Sequence, residues 1–287
     1  MDNHLLQSVV DGFLLGSVYG VAAMGLTLIW GVMRVINLTH GPLIVIGMFA
    51  TYLIFTNFGL NPYLALFFVA VLGLLFGLAI YFIAVQRVIN APYLSSLLST
   101  YAVSMIIIGV GTFIFTSSPQ NIDYSLGTLA VGALSMPANR VVGAITAFLV
   151  AGLLYLFLNR TRPGKAIRAV ANNRAAAELM GIPSNRILAL SFGIGATLAV
   201  VAGGVIATFF PFTILSGSDY QLKSFVIGVL GGLGNPLGAL LAGLLLGMVE
   251  GVVPMFMPVG WVPVLEFVLF IAVLVFFPNG LFGARRQ

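Results

Sequence analysis

Cysteine is absent from the 287-residue chain. That excludes disulfides, iron–sulfur ligation and thiol chemistry, and it leaves the redox compartment undecided. Histidine is scarce: His4 and His40 alone do not make a metal site. No Ser-His-Asp set or paired-carboxylate arrangement stands out for catalysis, and no G-x-x-x-x-G-K-[ST] stretch is present to cradle ATP phosphates. Charge is scarce too. Only 7% of residues are charged and 60% are hydrophobic, whereas a soluble domain carries roughly a quarter charged residues. The chain therefore reads as an integral membrane protein. Its net charge of +5 comes from few residues and bears on orientation rather than on nucleic-acid binding. The short N-terminus has Asp2 and lacks a basic n-region, so no cleavable signal peptide is expected.

A helix needs about 20 mostly apolar residues to cross the bilayer core. Candidate spans are 9–32, 38–56, 62–85, 94–116, 140–158, 186–211, 236–253 and 260–277, with a short apolar piece at 224–233. The expected architecture is an all-α polytopic bundle of about eight spans plus a short re-entrant or broken helix, forming a single transmembrane domain over 1–287. Glycine is abundant, with 34 residues. Many stand at small-xxx-small spacing, such as Gly12/Gly16/Gly20, Gly73/Gly77, Gly193/Thr197 and Gly243/Gly247, which lets helices pack closely in lipid.

The long polar interruption is 161–185. Six of the twelve Lys and Arg residues fall in or beside it: Arg160, Arg162, Lys165, Arg168, Arg174 and Arg186. Such clusters resist translocation and mark a cytoplasmic loop. On a helix, Lys165, Arg168 and Asn172 share one face, and Ile167, Val170 and Ala171 the other. Asn172 or Asn173 can cap a second short helix through Met180, which Gly181 and Pro183 end. Two readings stand: a surface for another protein to grip, or a loop whose charges only set topology.

Counting from an inside loop places the N-terminus and 117–139 outside, Arg34 and Arg87 inside, and Asp219 and Lys223 outside. The Arg285–Arg286 pair favours an inside C-terminus, so 224–253 must start and finish outside. Gly231, Gly232, Gly234 and Asn235, followed by Pro236, then bend the chain beside a permeation path. The alternative is one long kinked helix in which these glycines serve only contact. Glu250 either faces the path or bonds a neighbouring span; Glu266 and Asp11 read as interfacial, and Arg34 as a topology anchor. Asn37, Thr39 and His40 form a polar knot, either lining a path or closing a satisfied turn with Asn37 capping the next helix.

Several stretches resemble a known family. GVMRVINLTHG at 31–41, GGLGNPLGALLAGLLLGMVE at 231–250 and PNGLFG at 278–283 are similar to motifs of LivH-type permease subunits of branched-chain amino-acid ABC importers. Leu38-Thr39 stands where the family more often has Phe-Ala. In the loop, Gly164, Lys165, Arg168, Asn173, Ala176, Ala177 and Gly181 match the coupling motif, while Ala175 replaces the usual Glu. The resemblance implies a type II-like importer in a bacterial inner membrane. Its partners would be a LivM-type permease, two cytoplasmic ATPases that bind ATP and Mg, and an extracytoplasmic substrate-binding protein. This chain would bind no cofactor and would not be an enzyme. Leu, Ile and Val are the substrates the resemblance implies; urea, short amides and other neutral amino acids are the alternatives. An intramembrane enzyme or an ion-coupled carrier acting alone is the contrasting class, against which the absence of a catalytic set and the placement of most charges at span ends both weigh.

Overall fold

The computed structural model describes residues 2–131 and 134–283. The Arg285–Arg286 pair lies outside the described residues. In chain order the helices are α1 (Asp2–Met33), α2 (His40–Phe58), α3 (Pro62–Ile80), α4 (Tyr93–Phe115), α5 (Ala138–Arg160), α6 (Arg162–Asn172), α7 (Arg174–Leu179), α8 (Ser184–Ile206), α9 (Gly217–Gly231), α10 (Pro236–Val252) and α11 (Val262–Phe276). Among the described residues eight segments, all but those of α6, α7 and α9, are long and apolar enough to cross a membrane. The all-α polytopic bundle forms as its hydropathy requires. One antiparallel hairpin, β1 (Thr128–Val131) with β2 (Leu134–Pro137), interrupts the loop before α5. The sequence reading had no strand there. Gln7 anchors the hairpin by accepting from the Ser135 amide at 3.0 Å.

The bundle has a centre and a rim. The apolar windows of α1 and α8 are 89% and 83% buried, against 17% for α4 and 11% for α11, so the latter two leave most of their surface uncovered by the rest of the chain. Glycine sets the central contacts. Helices α1 and α10 run antiparallel, and a Cβ on Gly12 would lie 2.3 Å from the Gly247 carbonyl oxygen. A Cβ on Gly16 would lie 2.4 Å from the Gly243 carbonyl. On the other side of α1, the same construction at Gly25 meets the Gly195 carbonyl of α8 at 2.4 Å. These backbones touch because no side chain intervenes.

Two irregular stretches enter the bundle. After α1, Arg34 adopts φ +55° and the chain turns back, until His40 Nε2 lies 2.9 Å from the Ala22 carbonyl oxygen. Ala22 is eleven residues before the end of α1, roughly 16 Å along its axis, so α2 begins deep in the bundle rather than at the inner surface. After α8, which ends at Ile206 rather than 211, residues 207–216 run in from the opposite end. The short apolar piece at 224–233 is part of the 15-residue α9. Gly232 (φ +93°) and Gly234 (φ +91°) then reverse the chain into α10. Asn235 caps that helix by accepting from the Gly238 amide at 3.1 Å, and Pro236 occupies its first turn. The broken helix therefore exists, and it starts seven residues earlier than its apolar composition indicates.

Gly16→Val should destabilise the protein by about 1–3 kcal/mol or more, because the added branches meet backbone that cannot rotate away. Gly152→Ala, with nothing within 4 Å, should be neutral or stabilising by up to about 1 kcal/mol. Thermal melting of the purified variants in detergent checks both; equal melting temperatures would contradict the packing described.

Candidate functional site

The polar loop folds into two helices clamped to the bundle. Thr161 caps α6 by accepting from the Gly164 amide at 3.1 Å, and a Cβ on Gly164 would lie 2.0 Å from the Phe157 carbonyl. Ile167 and Val170 are buried against the bundle, whereas Lys165, Arg168 and Asn172 face outward. Asn173, not Asn172, caps α7 by accepting from the Ala176 amide at 3.0 Å. Ala177 turns inward and Ala176 outward. Gly181 holds φ +80°, and the Ile182 amide returns to the Ala177 carbonyl at 3.1 Å. Beside it Leu179 and Met180 are 88% and 83% exposed, an apolar tip ringed by polar surface. Glu178 accepts from Ser184 and, at 3.0 Å, from Arg174 Nε. Those two bonds hold its carboxyl below the usual carboxylate range. Arg174 also reaches Asn90 Oδ1 at 3.3 Å, tying α7 to the turn before α4.

The candidate path residues separate into three places. Asn37, Thr39 and His40 are fully buried beside the start of α2. Asn37 Oδ1 accepts from the Thr39 amide at 3.1 Å and from the Thr39 hydroxyl. Thr39, not Asn37, stands at the N-cap, and it makes no side-chain cap bond. Gln221 of α9 closes this knot: its Oε1 accepts from the Gly41 amide at 2.6 Å, and its Nε2 donates to the Asn37 carbonyl at 3.3 Å. Asn37 Nδ2 and His40 Nδ1 are buried with no hydrogen-bond partner. Gln221 was missed from sequence, where it reads as part of a polar outer segment.

Gly231, Gly232, Gly234 and Asn235 sit instead at the end of the bundle reached by the C-terminus of α1. Gly234 packs on Gly31, a Cβ on Gly232 would lie 2.8 Å from Gly283, and Asn235 Nδ2 donates to the Phe282 carbonyl at 2.9 Å. The turn is thus fastened by the last described residues of the chain. Asn235 also shares the lining of a cavity of about 190 Å³ with Arg168 of α6, which brings the loop and the turn together.

Glu250 lies toward the opposite end. Its Oε2 is 2.6 Å from Lys223 Nζ, and Glu266 Oε1 is 3.6 Å from the same ammonium. Lys223, expected in an outer loop with Asp219, is drawn between α10 and α11 and over the Tyr19 ring at 4.6 Å from its centroid. Glu266, expected at an interface, is only 6% exposed. Sequence missed this meeting because Lys223 and its two carboxylates stand on separate helices. Among the described residues no group of three His, Cys, Asp or Glu could hold a metal ion.

Residues 8–277 match the model of a family described as the permease component of branched-chain amino acid transport systems. The chain belongs to this family. Among similar proteins, the high-affinity branched-chain amino acid transport system permease protein LivH of Salmonella typhimurium is 29% identical, over 98% of this chain and 96% of its own. BraD of Pseudomonas aeruginosa, named for the same kind of system, is 32% identical over 98% and 96%. The fructose import permease protein FruG of Bifidobacterium longum is 29% identical over 64% and 57%, so one scaffold appears under names of unlike solutes. This permease is a multi-pass membrane protein and a transport subunit rather than an enzyme.

Within the permease the loop's geometry rests on Gly181. Gly181→Val should cost roughly 1 kcal/mol or more through backbone strain alone, since nothing lies within 4 Å of an added Cβ. Limited trypsin digestion should cut faster at Arg174 and Arg186 in that variant while the transmembrane fragments stay intact. An unchanged cleavage rate would show that α7 does not depend on this cap.

Proposed function

We propose that this chain is the permease subunit through which branched-chain amino acids enter the cytoplasm, driven by ATP hydrolysed on separate subunits. The near full-length match to LivH and BraD carries the reading. In it, α6 and α7 are the coupling element, with Gly164, Lys165, Arg168, Asn173, Ala176, Ala177 and Gly181 shaping a surface for a cytoplasmic ATPase. The exposed Leu179–Met180 tip supports an apolar socket on that partner. Asn37, Thr39, His40 and Glu250 flank the path, and the turn at Gly231, Gly232, Gly234 and Asn235 relays movement of Arg168 to α10. A LivM-type permease, two ATPases holding ATP and Mg, and an extracytoplasmic binding protein complete the importer in a bacterial inner membrane.

The N-terminus and the 117–139 loop face outside and the C-terminus faces the cytoplasm in this arrangement. A cysteine placed at Ser125 should then react with an impermeant thiol reagent added outside, and one at Ala175 should not. The reverse pattern overturns the orientation.

Deleting the gene should lower uptake of labelled L-leucine about tenfold or more, and the intact gene should restore it. Leu179→Ser combined with Met180→Ser should leave membrane insertion and melting unchanged but reduce co-purification of the ATPase. Leucine uptake that survives deletion while fructose or urea uptake falls would reassign the substrate. The half-buried Lys223–Glu250 pair also supports a second reading, an ion-coupled carrier. Uptake abolished by an uncoupler at maintained ATP would favour that class.

A further inference from the structure

Five charged side chains from five helices converge on one cleft of about 420 Å³: Asp11 of α1, Arg140 of α5, Lys223 of α9, Glu250 of α10 and Glu266 of α11. Both signs retain unused bonding capacity. The Arg140 guanidinium meets Asp11 Oδ1 at 3.6 Å, too long for a hydrogen bond, and stands 5.9 Å from the Phe210 ring centroid. Asp11 Oδ2 accepts from Gln7 at 3.2 Å, while its Oδ1 is buried without a hydrogen bond. Lys223 donates to Glu250 at 2.6 Å and stands 3.6 Å from Glu266 Oε1. The Glu266 side chain is 8% exposed, and its Oε1 has no hydrogen bond although it lines the cleft.

The mixture of charges selects the ligand. A site for a bare cation would not hold an ammonium and a guanidinium among its walls, and a site for an anion would not hold three carboxylates. A molecule carrying both charges close together satisfies the set. The remaining walls, which include Leu15, Val259, Val262 and Pro263, are apolar. We propose that this cleft binds a zwitterionic α-amino acid, its carboxylate on Lys223 and Arg140, its ammonium on Glu266, Glu250 and Asp11, and its side chain against the apolar wall. The inference rests on the reading of the chain as an amino-acid permease and adds to it the place where the head group is held.

Equilibrium binding of labelled L-leucine to the purified full chain in lipid nanodiscs tests this. Binding should be saturable and displaced by unlabelled L-leucine. The analogue lacking the ammonium, 4-methylpentanoate, and the one lacking the carboxylate, 3-methylbutylamine, should each compete at least tenfold more weakly. Lys223→Met with Glu250→Gln and Glu266→Gln removes the three charges of the Lys223–Glu250–Glu266 set together at similar volume, so no partner is left as an uncompensated buried charge. It should weaken leucine binding at least tenfold with little change in melting temperature.

Absence of saturable binding, equal competition by either analogue, or unchanged affinity in the triple variant would overturn the site. If the triple variant does not fold, analogue competition on the unaltered chain decides alone. Leucine uptake by cells with the intact system is scored separately. Uptake without binding to this chain sinks the site and leaves the permease reading; binding without uptake sinks the reading and leaves the site.

Discussion

Lipid tails are as apolar as leucine, so helices inside a bilayer gain little by hiding apolar surface from one another; they gain by touching. Everything in this bundle depends on how closely α1 is touched. Gly12 and Gly16 admit the backbone of α10 on one side, and Gly25 admits that of α8 on the other. With no Cβ between them, the three helices have almost no freedom to slide. Such a rigid centre fixes the depth of Asp11, Tyr19 and Ala22, and those residues in turn receive Arg140, Lys223 and His40.

How much of this could be read in one dimension follows from how local each cause is. Span lengths are a property of consecutive residues, and the eight spans appear where apolar runs stand. Helix caps are also local: Asn173, Gly181 and Pro183 shape the loop as their chemistry dictates, and the burial of Ile167 and Val170 follows the 3.6-residue period. The depth of Asn37–His40 is not local. It depends on the turn at Arg34 and on a contact with Ala22 eighteen residues away, so a polar stretch that reads as a span end lies within the bundle. The charged cleft was illegible for the same reason. Lys223 gives no sign of Glu250 or Glu266 until α9, α10 and α11 are packed, and the positive-inside rule is silent about charges that neutralise one another within a fold.

Helix α10 joins the two ends of the molecule. Its N-cap, Asn235, stands beside Arg168 of the polar loop, and Glu250, near its other end, stands in the charged cleft. Seventeen residues of uninterrupted helix behave as a rod, so a displacement at one end is carried to the other without any chain of side-chain rearrangements.

The meeting of α2 with α9 has an electrostatic side. Both helices begin inside the bundle, and their first turns touch where Gly41 packs on Gly217. The start of a helix carries roughly half a positive charge from its aligned peptide dipoles; Asp219 in the first turn of α9 opposes the charge of that start, whereas the first turn of α2 has no acidic residue. The Gln221 side-chain oxygen answers one of the exposed amides, that of Gly41. The start of α2 therefore carries positive character from its backbone dipoles, which no count of lysines and arginines would disclose.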